Sequence, residues 1–331
     1  MLVAGDIGGT KTDLAIFSNE GGPLVPLAQT RVHSANYPNL QAIVKEFLAK
    51  EKKPVDRACF AVAGPVIGSR VKTTNLPWVI EESSLAKELN INRQSVHLIN
   101  DLEAIANAVP ILRPSDVETI NAGESVSKGA IAVIAPGTGL GESFLTWDGS
   151  RYVPHSSEGG HADFAPIDKR QIRLLEYLLS RFDHVSFEHV CSGVGIPNIY
   201  DYLRDVEQLP QEPEVTALIE AAHDRTAAIA AHAARSKLCA ATFDMFVSIL
   251  AAEAGNLAVK VMATGGVYVA GGVAFHTLAA LKQPSFMASF KRKGRFAELM
   301  ERIPIHVIVS PAGLAGAVVY GLKNSSDFKP N

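Results

Sequence analysis

Cysteine is scarce: Cys59, Cys191 and Cys239 are the only three in 331 residues. They are isolated and odd in number, which excludes a disulfide frame and fits reduced thiols. Excess charge of one sign is missing too. Lys and Arg total 31 against 34 Asp and Glu, a formal net charge of −3. That balance supplies no electrostatic footprint for nucleic acid or for an anionic membrane surface. No run approaches the roughly 18 apolar residues of a membrane span. Asp6 and Lys11 fall where a secretory signal peptide would need its apolar core. The expectation from these absences is a cytoplasmic protein with no nucleic-acid and no membrane partner.

What is present is an ordinary globular composition, 47% hydrophobic and 20% charged. The length exceeds one usual core, so two domains are expected. Two glycine-rich segments of the same grammar open the two halves. LVAGDIGGTKTDLAIF runs from Leu2 to Phe17, and AIAVIAPGTGLGESFL from Ala130 to Leu145. Each is an apolar run, a Gly/Thr turn and a second apolar run. Glycine lets backbone N–H groups approach an anion closely, and successive N–H groups in such a turn make an anion-binding concavity. The pair predicts one phosphate chain gripped from two sides, and so a nucleotide.

Two better-known phosphate loops are excluded. G-x-x-x-x-G-K-[ST] fails because Thr10 stands where the second glycine must be, before Lys11 and Thr12. G-x-G-x-x-G fails at Gly137–Gly141, which reads G-x-G-x-G. Both rejected motifs lead into a helix, whereas Asp13–Ser18 and Ser143–Trp147 read as strands.

Further strand-like runs are Leu2–Ile7, Ala58–Ala63, Val96–Ile99, Gly266–Ala270 and Ile305–Ser310. Helices are expected over Asn39–Lys50, Ser84–Leu89, Leu102–Ala108, Lys169–Arg181, Phe187–Ser192, Pro213–Ser236 and Phe243–Met262. A last, small-residue helix is expected over Ala312–Leu322, returning to the first domain. Pro110, Pro114 and Ser115 mark a boundary. The expected division is therefore 1–110 with 311–331, and 111–310.

Asp101 follows an apolar strand and precedes a helix, at the edge where open α/β sheets place ligands. Read alone, it is equally a helix N-cap, and Asn100 is equally a cap or a ligand contact. Gly271-Gly272 after the Gly266–Ala270 run is equally a tight strand-to-helix turn.

GDIGGTKT at 5–12, LINDLEA at 98–104, PGTGLG at 136–141, EGGHADFAP at 158–166, HVCSGVGI at 189–196 and VYVAGGV at 267–273 together resemble the bacterial-type glucokinases. These belong to the superfamily of hexokinase, actin and the heat-shock ATPases, and the resemblance spans essentially the whole chain. It implies an α/β fold of two actin-like (RNase H-like) domains, with mixed sheets flanked by helices and an interdomain cleft. It also implies ATP-dependent phosphorylation of D-glucose at the 6-hydroxyl, with Asp101 as general base. On the same resemblance Asn75, Asn100, Asp101, Glu158, His161 and Glu188 bind the hexose. Glu188 stands inside a helical pattern and, without the resemblance, reads as a solvated surface residue.

The resemblance implies that Gly5, Asp6, Ile7, Gly8, Gly9, Thr10, Lys11, Gly137, Thr138 and Gly139 bind the nucleotide, with Gly8, Gly9, Thr10 and Lys11 facing the β- and γ-phosphates and Thr138 and Gly139 opposite. Gly271 and Gly272 would pass beneath the adenosine. Asp6 would lie near Mg²⁺ carried by the nucleotide, acting through water because Mg²⁺ keeps most of its waters. In repressor-type sugar kinases a histidine comparable to His161 joins a compact cysteine cluster on zinc. Here the cysteines are solitary, so no structural zinc and no protein-held metal are expected. The family suggests a homodimer. The alternatives are a kinase for another hexose or amino sugar, and a catalytically silent sugar sensor; no DNA-binding helix-turn-helix precedes Gly5.

Overall fold

A computed structural model describes residues 1–18, 25–73 and 76–323. The chain divides into two compact units, Met1–Arg113 with Ser310–Asn331, and Pro114–Val309.

The first unit is built on strands β1 (Leu2–Ile7), β2 (Lys11–Phe17), β3 (Ala28–His33), β4 (Arg57–Val62), β5 (Val66–Ile67), β6 (Arg70–Lys72), β7 (Val79–Glu81) and β8 (Val96–Asn100). Five of them form one sheet in the order β3-β2-β1-β4-β8. β1, β2 and β3 are an antiparallel meander, and β4 and β8 join in parallel. The sheet is therefore mixed, as the paired strands around the glycine turn require. Side chains alternate between its faces with the period of two that strand geometry imposes. Val3, Leu14 and Ile16 pack on the helix Leu40–Glu51 through Ile43, Val44 and Phe47. Leu2, Ala4 and Phe17 point the other way, onto Ala317, Val318 and Leu322 of the helix Ala312–Lys323. That helix also lies on the helix Asp101–Ala108. The approach is so close that a β-carbon on Gly316 would overlap the Ala104 carbonyl oxygen.

The second unit adds β9 (Val117–Asn121), β10 (Ile131–Pro136), β11 (Leu140–Trp147), β12 (Tyr152–Ser157), β13 (Gly266–Val269) and β14 (Ile305–Ile308), ordered β12-β11-β10-β13-β14-β9. After β9 it repeats the start of the first unit, with an antiparallel meander β10-β11-β12 whose first strand pairs in parallel with a later one, β13. Its core is organised by the helix Lys237–Val261, in which Phe246, Ile249, Leu250 and Ala254 are wholly buried. Among the described residues this is the one helix long and apolar enough to cross a membrane by length and composition, and 78% of its apolar window is buried inside the unit. It is a core helix.

Three helix expectations need correction. Phe187–Ser192 is a series of turns, with His189 N–H donating to the Ser186 carbonyl at 3.1 Å and Val190 N–H to Phe187 at 3.0 Å. The helix starts only at Ile196 and runs to Asp205. Pro213–Ser236 is two helices, Pro213–Ala221 and Arg225–His232, because Asp224 accepts from Ala227 N–H at 2.9 Å and caps a new start. The helix expected from Phe243 begins at Lys237, six positions earlier, after the Ser236 cap.

Candidate active site

In the first unit the β1–β2 hairpin turns over Gly8, Gly9 and Thr10, closed by Gly8 N–H donating to the Lys11 carbonyl at 2.9 Å. Thr10 and Lys11 are exposed. The turn is braced from outside by Ser34, which is fully buried. Its hydroxyl donates to the Gly8 carbonyl at 2.8 Å, its N–H donates to the Thr10 carbonyl at 3.0 Å, and its Oγ lies 3.0 Å from Thr12 Oγ1. Gly5 and Ile7 lie within β1 itself. A β-carbon on Gly5 would strike Leu14 and Phe60, and Ile7 is 2% exposed, so both positions are closely packed.

Asp6 projects from β1 beside Gly313. Burial, with the negative charges of Asp101 and Asp13 adding to it, pushes its carboxyl up to about 7. Among the described residues no hydrogen-bond donor holds it. Asp101 is the first residue of the helix that follows β8, so the strand end and the helix start fix its position together. The cap is Asn100, whose Oδ1 accepts from Leu102 N–H at 2.8 Å while its amide donates to the Gly64 carbonyl at 3.1 Å. Asp101 Oδ1 shares the Leu102 N–H at 3.0 Å. Burial raises the Asp101 carboxyl above the usual range, opposed by the backbone N–H groups and Asn100. Two half-buried carboxylates, the charge of one acting on the other, thus lie at the carboxyl ends of β1 and β8, with β4 between them in the same sheet. Asn75 lies outside the described residues.

In the second unit the β10–β11 hairpin turns over Gly137, Thr138 and Gly139, with Gly137 N–H donating to the Gly139 carbonyl at 2.8 Å. Gly137 and Thr138 line a cavity of about 1050 Å³ with Gly272, Val273, Thr226 and His276. Gly271 holds φ at 89°, and a side chain there would strike the Pro136 carbonyl. Only glycine lets the chain turn from β13 into the helix Gly272–His276 while lying against the hairpin.

The Glu158–His161 loop follows β12 as a single 3₁₀ turn, Gly159–His161, with Glu158 and His161 exposed. The turns at 187–195 stitch this loop to the hairpin. Glu188 N–H donates to the Gly160 carbonyl at 2.9 Å, and Phe187 N–H to the Ala162 carbonyl at 3.0 Å. Gly193 N–H donates to Gly137 at 2.8 Å and Val194 N–H to Thr138 at 3.1 Å. The Glu188 side chain completes the seam, its Oε2 accepting from Leu140 N–H at 2.8 Å. Glu188 is therefore tied to the phosphate hairpin from a turn, not displayed on a helix. Glu158, His161, Glu188, Gly137, Thr138 and Gly139 come together in this unit, as Asp6, Gly8, Asn100 and Asp101 do in the first.

A glycine hairpin at the head of each of two mixed α/β units, with a half-buried aspartate at a strand end, defines the actin-like fold of the sugar kinases. Solved structures share it. Glucokinase from an Antarctic psychrotroph superposes with a TM-score of 0.82 at 29% identity, covering 98% of this chain and 99% of that one. Glucokinase from Balamuthia mandrillaris, solved in complex with glucose, shares the fold with a TM-score of 0.76 at 23% identity, covering 97% and 93%.

The Glucokinase family model matches residues 3–324. The glucokinase of Nostoc punctiforme is 39% identical over 336 residues, covering 96% of this chain and 98% of its own. This chain belongs to the glucokinase family.

Proposed function

We propose that this protein transfers the γ-phosphoryl group of ATP to the 6-hydroxyl of D-glucose, with Asp101 as the general base. The observation that carries the chemistry is Asp101 itself. It is half-buried, positioned by a strand end and a helix start, and more basic than an exposed aspartate. A base is most effective when its pKa lies nearer the working pH, so the upward shift favours proton abstraction. The hydroxyl proton passes to Asp101 as the sugar oxygen bonds to phosphorus, and the bond from phosphorus to the ADP oxygen breaks in line.

Glu158, His161 and Glu188 hold the remaining sugar hydroxyls. A polar site of this kind rejects sugars that leave its groups unpaired. The cavity beside Gly137, Thr138 and Gly272 suits a nucleotide in size and in its mixed lining. Backbone N–H groups of the two glycine turns receive the phosphates. Asp6 fits a cation carried by the nucleotide, because it is a desolvated carboxylate among like charges and lacks a hydrogen-bond donor. Mg²⁺ there would neutralise charge on the phosphates, with Asp6 holding it through water. The protein acts in the cytoplasm on these two small molecules, as a homodimer.

The test is a coupled assay of hexose phosphorylation across a panel of sugars. Glucose giving the highest kcat/KM is the expected result. An amino sugar or another hexose giving a higher value reassigns the substrate, and no turnover on any hexose overturns the reading.

A further inference from the structure

Beneath the Glu158–His161 loop lie two carboxyl groups for which the reaction has no use. Glu142, on β11 just past the phosphate hairpin, is 2% exposed, and Glu253, in the core helix Lys237–Val261, is wholly buried. Each keeps one buried oxygen, Oε1, without a hydrogen-bond partner. The two groups act on each other electrostatically, and keeping both charged in a buried place is costly, a cost that one shared proton relieves. The other oxygen of Glu142 lies where a β-carbon on Gly159 would be, so the loop rests directly on this carboxyl. The other oxygen of Glu253 accepts from Asn256 Nδ2 at 2.8 Å.

We propose that Glu142 and Glu253 share one proton and together form the seat of the Glu158–His161 loop, so that protonation of the pair sets the affinity for the sugar and not for the nucleotide. This rests on the reading of that loop as the hexose site.

The surroundings fit a pair carrying one negative charge. Lys260, on the same helix, places Nζ 3.7 Å from Glu253 Oε1. Lys293, from the turn after the helix Pro284–Phe290, donates to Asn256 Oδ1 at 2.6 Å and reaches Glu253 through that amide. From the turns at 187–195 comes Cys191, fully buried, whose thiol is pushed up by burial and by both carboxyls and so stays neutral. Ser157, from the loop side, adds a hydroxyl that accepts from Gly159 N–H at 3.0 Å. Burial, with the charge of Glu253 adding to it, pushes Glu142 up to about 8, and burial raises Glu253 as well. Below that value the pair holds its proton and the loop is seated. Above it two negative charges face each other under Gly159, and the loop is pushed off its floor.

Two measurements test this on the full-length protein. The first is initial-rate kinetics from about pH 6.5 to about pH 9.5, wild type beside Glu142→Gln, which keeps the shape of the protonated acid. The wild-type KM for glucose should rise by about threefold or more above about pH 8, with the KM for ATP unchanged. In Glu142→Gln the glucose KM should stay flat, and Glu253→Gln should behave likewise if the first variant does not fold. A flat wild-type glucose KM, or identical profiles for wild type and variant, overturns the proposal.

The second needs no turnover. The infrared difference spectrum of wild type minus Glu142→Gln at neutral pH should show a protonated carboxyl band that disappears in alkali. Its absence overturns the shared proton even if the enzyme proves to act on another sugar.

Discussion

Replacing Gly316 by alanine sets two well-calibrated effects against each other. Gly316 lies inside the helix Ala312–Lys323, and alanine there is favoured intrinsically by about 1 kcal/mol. The added methyl, however, would fall on the carbonyl oxygen of Ala104 and within 3.0 Å of its Cα. Both are backbone atoms of the neighbouring helix, which no rotamer change can move. Overpacking a tight contact costs roughly 1–3 kcal/mol or more, and here relief requires two helices to separate.

The clash should win, for a net loss of about 1–2 kcal/mol and a fall in Tm of about 2–8 °C. The displaced helix begins at Asp101, so kcat should drop further than the KM for ATP rises. Thermal denaturation by circular dichroism, paired with steady-state kinetics, reads both. A variant with raised Tm and unaltered kcat would refute the packing argument, since only the propensity effect would then be operating.

Ser34→Ala removes the hydroxyl that braces the first glycine turn from outside; we expect a loss of about 1–2 kcal/mol in denaturant melts and a raised KM for ATP with the glucose KM little changed. Equal effects on both KM values would contradict that role. Asp6→Asn should stabilise the ligand-free protein at about pH 8 while lowering turnover. A carboxyl whose folded pKa is raised from 3.8 to about 7 makes stability fall as pH climbs through that window, because the folded state binds the extra proton. At about 1.4 kcal/mol per unit, the gain should be on the order of 1–3 kcal/mol, vanishing below about pH 4. A variant less stable than wild type at alkaline pH would contradict the electrostatic reading.

Much of the frame can be read from the chain because its signals are local. The β1–β2 and β10–β11 hairpins follow from apolar runs on either side of Gly/Thr turns. The helix Leu40–Glu51 follows from Asn39, whose side chain caps it as the residue type suggests. The edge strands Ala28–His33 and Tyr152–Ser157 escape notice because their register comes from pairing with β2 and β11, and Ala28–His33 has little buried on either side. Phe187–Ser192 carries apolar residues at helical spacing, yet Glu188 and Val194 bond across to other loops. Their partners, Gly160 and Thr138, lie more than twenty residues away and leave no local pattern.

The candidate site divides in the same way. Asp101, Glu158 and His161 stand out through their motifs. Ser34, Glu142 and Leu140 act on loops distant in sequence, and only the Asp224 cap before Arg225 offered a local sign of the chain break beside the cavity. Asn100 shows how geometry adds to an open reading: its oxygen caps the helix at Leu102 N–H, which Asp101 Oδ1 shares.

The account turns on Asp101 as the base, and the most direct measurement is kcat for glucose phosphorylation in Asp101→Asn beside wild type. The account predicts a fall of at least about 100-fold, with the glucose KM within a few-fold of wild type and an unchanged melting profile. Turnover close to the wild-type rate in a folded variant would contradict it.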